Sequence, residues 1–163
     1  MRFPVPPVRS LLVLAALAVA CAATGPEPLR LNEDPCDFCR MTISDSRFGG
    51  EAITRAGRIY KFDSIECLVG WARTATAGTV RALYVIDAQH PGTFVAADSA
   101  GFLKDGFMNS PMGKGFAAFP SVKAAEEQRA VLGGRVMSWA EVLADSSKAG
   151  ARAGTPPAAM VMP

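Results

Sequence analysis

The tightest constraint on this chain is a strand-to-helix joint that occurs twice, as Phe62-Asp63-Ser64-Ile65 and as Phe119-Pro120-Ser121-Val122. Each joint ends a short apolar run and opens a segment with helical periodicity. In the first half, Gly50 to Arg55 and Arg58 to Phe62 read as a strand pair around the Ala56-Gly57 turn. Asp63 is then expected as a helix N-cap, with Glu66 completing an acidic form of the capping box. The helix is expected from about Ser64 to Thr74, with Ile65, Leu68, Val69 and Ala72 as its apolar stripe. Cys67 and Trp71 make it apolar nearly all round, which predicts burial. Leu83 to Asp87 is a short apolar run suited to a central strand.

The second half repeats that order. Thr93 to Ala97 and Gly115 to Phe119 read as strands, and Ser121 caps a helix through about Leu132 that Gly133-Gly134 stops. Arg135 to Met137 follows as a strand, and Ser138 caps a last short helix through Leu143. The predicted fold is therefore α+β: two tandem ββαβ units, about 35–90 and 91–145, forming one compact domain. A single domain also suits 163 residues of which half are hydrophobic.

The chemistry concentrates in two sulfur segments. Cys36-Asp37-Phe38-Cys39-Arg40-Met41 sets two thiols and a thioether within six residues. Met108-Asn109-Ser110-Pro111-Met112-Gly113 is the second. There Pro111 and Gly113 make a turn that displays Met112 rather than packing it. Thiolate and thioether are soft donors, the set that favours Cu(I) over hard cations. Cysteines two apart can chelate one ion, but a disulfide or redox pair is the rival in an exported protein. A tetrahedral zinc site would want a second Cys/His pair, and only Cys67 and one histidine remain. A c-type haem needs His where Arg40 stands, and an iron–sulfur cluster wants four thiolates. A thioredoxin-like pair opens a helix after a strand, whereas Asp34-Pro35 precedes this one in loop-like sequence. By elimination a Cys/Met site for Cu(I) fits best, with the redox pair and other metals left open. Met108 reads equally as packing, Cys67 reads first as a small buried hydrophobe, and His90 lies in a turn as an inert residue or a ligand to a second metal. There is no Ser/His/Asp arrangement and no glycine-rich phosphate loop.

The ends have other roles. Arg2 and Arg9 precede the apolar run Leu11 to Ala20, too short to span a bilayer and right for a signal peptide over residues 1–20. Ala18-Val19-Ala20-Cys21 resembles a bacterial lipobox, so Cys21 is the expected lipidation site. An ordinary secretory signal with an incidental cysteine is the alternative. Removing those residues takes two from the 17 Lys and Arg, which then match the 15 Asp and Glu. The mature chain is formally neutral with no basic cluster, which excludes nucleic acid as a partner. Residues 21–34 are expected as a lipid-anchored flexible linker and residues 146–163, ending Met160-Val161-Met162, as a disordered tail.

With these segments in place, the chain resembles the NosL family, lipoprotein copper chaperones for nitrous oxide reductase. The resemblance covers roughly Pro35 to Leu143 and rests on three stretches. They are Cys36-Asp37-Phe38-Cys39-Arg40-Met41, Tyr60-Lys61-Phe62-Asp63-Ser64-Ile65-Glu66-Cys67, and Ser110-Pro111-Met112-Gly113-Lys114-Gly115-Phe116-Ala117-Ala118-Phe119. It implies a tandem ββαβ fold and Cu(I) bound by Cys36, Cys39, Met41 and Met112; Met108 and Cys67 stand beside these as further candidate contacts from the residues alone. It also implies a non-enzymatic, lipid-anchored protein on the periplasmic face of a bacterial membrane, the outer membrane being expected. The partners implied are a copper-receiving apo-metalloprotein, nitrous oxide reductase, and its membrane assembly factors. Two other readings use the same cysteines: a lipid-anchored thiol–disulfide oxidoreductase, and an adaptor lipoprotein in which a Cys36–Cys39 bridge staples a loop.

Overall fold

The computed structural model describes residues 25–149 apart from residue 114, so the expected signal peptide, Cys21 and the methionines of the C-terminal tail lie outside the described residues. Among the described residues, no helix is long and apolar enough to cross a membrane. The chain forms β1 (Gly50–Thr54), β2 (Ile59–Phe62), α1 (Ile65–Thr74), β3 (Val80–Ile86), β4 (Phe94–Ala96), β5 (Gly101–Lys104), β6 (Ala117–Phe119), α2 (Val122–Leu132), β7 (Arg135–Met137) and α3 (Trp139–Ala149).

The two expected ββαβ units are present. The first sheet has the order β2-β1-β3-β4 and the second β6-β5-β7, so the first strand of each unit is central and flanked by the other two. All pairings within the sheets are antiparallel. The second unit is nevertheless built from a different strand than expected. Phe94–Ala96 does not open it but pairs with β3 as the fourth strand of the first sheet. Its central strand is β5, which composition conceals, because it is four residues long and starts on glycine. That glycine has a steric reason: a Cβ on Gly101 would lie 2.4 Å from the Ser121 carbonyl oxygen at the start of α2. Gly50 meets the same demand in β1, where a Cβ would lie 2.7 Å from the Tyr84 oxygen and 3.1 Å from the Leu68 side chain of α1.

Both helices that follow a strand pair are capped as the repeated joint requires, with one correction. Ser64, and not Asp63, is the N-cap of α1, its hydroxyl accepting the Cys67 amide at 3.3 Å. Ser121 caps α2 in the same way through the Ala124 amide. Ser138 and Glu141 form a reciprocal capping box on α3, with Glu141 accepting the Ser138 amide at 2.7 Å. α3 continues to Ala149, past the expected end at Leu143 and into the first residues of the expected tail.

One core cluster joins the two units. It takes Ala52 and Val85 from the first sheet, Phe102, Ala118 and Met137 from the second, Ile65, Leu68 and Val69 from α1, and Val142 from α3. Cys36 and Cys67 are part of this cluster, so the sulfur chemistry grows out of the core. A parallel bridge between Asp87 and Ala118 ties the end of β3 to β6.

Part of the segment expected as linker lies against the domain. Leu29 packs on the core, the Glu27 amide donates to Glu51 at 2.8 Å, and Lys61 Nζ reaches the Pro28 carbonyl and the Asp34 carboxylate. Asp34 and Glu51 are both buried but titrate in opposite directions. Burial works to raise the Asp34 carboxyl, but hydrogen bonds from the Arg30 amide, Lys61 and the Arg30 side chain outweigh it and hold it at about 2. At Glu51 burial dominates and pushes the carboxyl up to about 7 from 4.5. Asp34 thus contributes stability that is lost as pH falls from 3.8 towards 2. Glu51, more protonated in the folded state than in the unfolded one, contributes stability that is lost as pH rises from 4.5 towards 7. The expected result is that Glu51→Gln, which keeps an acceptor for the Glu27 amide, stabilises the protein at pH 7.5 and not at pH 4.5. Urea midpoints at the two pH values check this, and equal shifts at both would remove Glu51 from the pH dependence.

Candidate metal centre

Residues 32–43 make a small hairpin with the two-thiol segment at its tip. Pro35 bridges Thr42, and backbone hydrogen bonds run from Asn32 to Ile43, Ile43 to Asp34 and Cys36 to Met41. The turn is closed by the Arg40 amide donating to the Cys36 carbonyl at 3.0 Å, with Arg40 itself left-handed at φ 68°. The tip docks on the edge of β2 through a two-way contact. The Asp37 amide donates to the Lys61 carbonyl, and the Lys61 amide donates to the Asp37 carboxylate, both at 2.8 Å. Gly70 of α1 clears a place for Phe38, since a Cβ there would sit 2.5 Å from the phenyl ring.

This docking brings the hairpin thiols against the β2–α1 joint. One ligand atom from each of Cys36, Cys39, Asp63 and Cys67 lies within 4.8 Å of the others. Cys36, Cys67 and Asp63 are buried, while Cys39 is half-buried and gives the cluster its open side. All three cysteines are free thiols. Asp63 Oδ1 is buried with no hydrogen-bond partner, so it is free to accept an ion.

The thiols are electrostatically unequal. The Cys67 thiol donates a hydrogen bond to Cys36, and this, with backbone amides of Cys39, Asp63 and Phe38 and against the cost of burial, lowers the Cys36 thiol to about 6. Cys67 is pushed up because it gives that hydrogen bond and is itself desolvated. Burial, then a hydrogen bond to Cys36 and the negative charges of Cys36 and Asp63, push Cys39 up to about 11 against a hydrogen bond from the Met41 amide. The centre therefore offers one thiolate at neutral pH and two thiols that must lose protons to become thiolate ligands, so metal uptake through them releases protons. The donor set fits a soft cation, with three sulfurs to one oxygen.

Sequence reasoning on the sites fares unevenly. Cys36 and Cys39 are together, and Cys67 joins them while also packing in the core. Sequence reasoning places Asp63 at the helix cap and so misses it. The signal that points to it is the repeat, because Ser121 caps α2 at the place equivalent to Ser64 and leaves the Asp63 side chain without a capping duty. Met41 flanks the thiols through its backbone, its amide donating to Cys39 and its carbonyl accepting from Cys36, while its side chain is 47% exposed. Met112 stands in its turn 38% exposed. Met108 packs against the smaller core cluster of Phe48, Leu103, Ala117 and Phe119. His90 is exposed, with Nδ1 2.7 Å from Asp87 Oδ2.

Three thiols and a carboxylate, gathered where the hairpin tip meets the β2–α1 joint of a tandem ββαβ frame, form a group that could hold a metal ion. The chain belongs to the NosL family, whose profile matches residues 29–147. Comparison with curated proteins returns no match. Among solved structures, the crystal structure of the copper chaperone NosL from Shewanella denitrificans superposes with a TM-score of 0.63 at 21% identity, over 72% of this chain and 94% of that one. At that identity the likeness establishes the fold.

The hydrogen bond from Cys67 has a direct test. Cys67→Ala removes the donor, so the Cys36 thiol should titrate above its wild-type value of about 6. Thiolate absorbance at 240 nm, followed against pH in the reduced protein, measures it. An unchanged first step would mean that the backbone amides alone hold the thiolate.

Proposed function

We propose that the protein is a Cu(I) carrier that binds the ion at the Cys36, Cys39 and Cys67 cluster with Met41 and Met112 as thioether ligands, and releases it by ligand exchange. The observation that carries this reading is the convergence of three free thiols and a carboxylate within 4.8 Å of one another, with Met41 two residues beyond Cys39. Cu(I) is the soft cation of low coordination number that such donors select. Transfer proceeds when a partner's sulfurs replace these ligands one at a time. Thioethers suit the outer positions, because they stay neutral and need no proton on release. The pre-formed Cys36 thiolate provides the first bond. The family and its structural neighbour, a copper chaperone, support cargo delivery rather than catalysis.

The same reading extends to the rest of the chain. Cys21 carries the lipid and holds the domain at the periplasmic face of a bacterial membrane, in the outer membrane. The recipient is an apo-metalloprotein, nitrous oxide reductase, reached together with its membrane assembly factors. The oxidoreductase alternative meets a physical obstacle. A reactive thiolate has to be accessible to attack a disulfide. Here the low-pKa thiol, Cys36, is 0% exposed, and the more open Cys39 is the one pushed up.

Anaerobic titration of the reduced protein against a chromogenic Cu(I) chelator tests the proposal. One equivalent should be withdrawn from the chelator. Cys39→Ser should abolish that competition, while Met112→Ala should weaken it by about tenfold, ~1.4 kcal/mol. A wild-type protein that fails to compete, or that takes Zn(II) and not Cu(I), would overturn the carrier reading.

A further inference from the structure

The described residues between β5 and β6, 105–113 and 115–116, carry Phe107, Met108 and Met112 without regular secondary structure. The loop is held at its start by the Phe107 amide on the Leu132 carbonyl and by Met108 against the core, and at the Met112 turn by Ser110. Ser110 is buried, and it organises the turn from both ends. Its carbonyl accepts the Gly113 amide at 2.9 Å, and its hydroxyl oxygen accepts the Gly115 amide at 3.0 Å. Gly113 and Gly115 are both left-handed, at φ 71° and 67°, which lets the chain return to Ser110 within five residues. Met112 stands between these closures.

The Ser110 hydroxyl proton goes elsewhere, to the Glu66 carboxylate. Glu66 is the second residue of α1, and its neighbour Cys67 is in the thiol cluster. Successive residues on a helix point about 100° apart, so one turn of α1 serves two directions. Cys67 faces Cys36, and Glu66 faces the methionine turn. The Ser64 cap fixes this first turn through the Cys67 amide. Glu66 is only 8% exposed, and its second oxygen, Oε2, is buried without a partner. A fold that merely needed to fill this space would use an apolar residue there, since a half-satisfied buried carboxylate is unfavourable. The sequence instead keeps a carboxyl group there, which accepts a hydrogen bond from the Ser110 hydroxyl.

We propose that Glu66 is a positioning residue: through Ser110 it latches the Met112 turn to the helix that presents Cys67, and so brings the thioether to the ion that the thiols hold. This rests on the carrier reading with Met112 as a ligand. With the latch cut, the thiols keep their ion but the thioether no longer reaches it. Removing an outer-shell partner of this kind lowers metal affinity by roughly 10–100-fold.

The experiment follows the Met112 methyl signal in protein labelled with [methyl-13C]methionine, with and without one equivalent of Cu(I) under anaerobic conditions. Thiolate-to-copper charge-transfer absorption is recorded on the same samples. In the wild type the Met112 methyl should shift on loading. In Glu66→Ala and in Ser110→Ala it should stay at its metal-free position while the charge-transfer band remains, with affinity reduced 10-fold or more. Glu66→Gln, which keeps a carbonyl oxygen for the serine proton, should restore the shift. Ser110→Ala leaves α1 untouched, so the same result in both alanine variants separates a lost latch from a damaged helix. A full Met112 shift in both alanine variants overturns the latch and leaves the carrier reading standing. A wild-type Met112 methyl that ignores Cu(I) removes Met112 from the site, and the latch falls with it.

Discussion

The two-way hydrogen bond between Asp37 and Lys61 is the contact on which the centre depends. A short hairpin such as 32–43 is at best marginal alone in water. It gains a position by pairing with the free edge of β2, where Asp37 exchanges both an amide and a carboxylate bond with the Lys61 backbone. The same contact covers an edge that would otherwise expose unpaired amides and carbonyls. Because β2 runs straight into the joint that opens α1, docking at Lys61 places the hairpin thiols beside Asp63 and Cys67. Lys61 also carries the clamp on the other side, since its ammonium group binds the buried Asp34 at the base of the hairpin.

Two demands meet at this joint and are met by adjacent residues. The helix needs its first amides satisfied, which Ser64 does. Beside that cap the fold leaves two buried carboxylate oxygens unsatisfied, Asp63 Oδ1 in the centre and Glu66 Oε2 next to it. Buried groups without partners are unfavourable in a core. Their concentration in residues 63–67 marks the place where the fold accepts local instability for a site. The unequal thiols follow from the same arrangement, because a buried cluster stabilises one negative sulfur by letting its neighbour donate a hydrogen bond to it.

Much of the frame was legible in order and not in partnership. The joints at Phe62 and Phe119, the caps at Ser121 and Ser138, and the stop at Gly133 are local signals, and the structure follows them. Strand β5 was not legible, because Gly101 and Lys104 leave only two apolar residues to signal it. Phe94–Ala96 has a strand's composition, but nothing local says which sheet it joins. Of the centre, Cys36 and Cys39 announced themselves by spacing. Asp63 was hidden by its resemblance to a helix cap, and Cys67 by lying on an apolar helix.

The sequence by itself determined the α+β class, the doubled ββαβ order, the helix caps and the soft donors, because periodicity, capping and donor chemistry act over a few residues. Only the tertiary structure decided that the hairpin docks on β2, that Asp63 and Cys67 complete the cluster, that Cys36 is the acidic thiol, and that Glu66 meets Ser110. Those facts depend on approach between residues 24 to 44 apart in sequence, as Asp37 and Lys61 or Glu66 and Ser110 are. Such approaches are set by how the two sheets share one core, and no short stretch of chain contains that information.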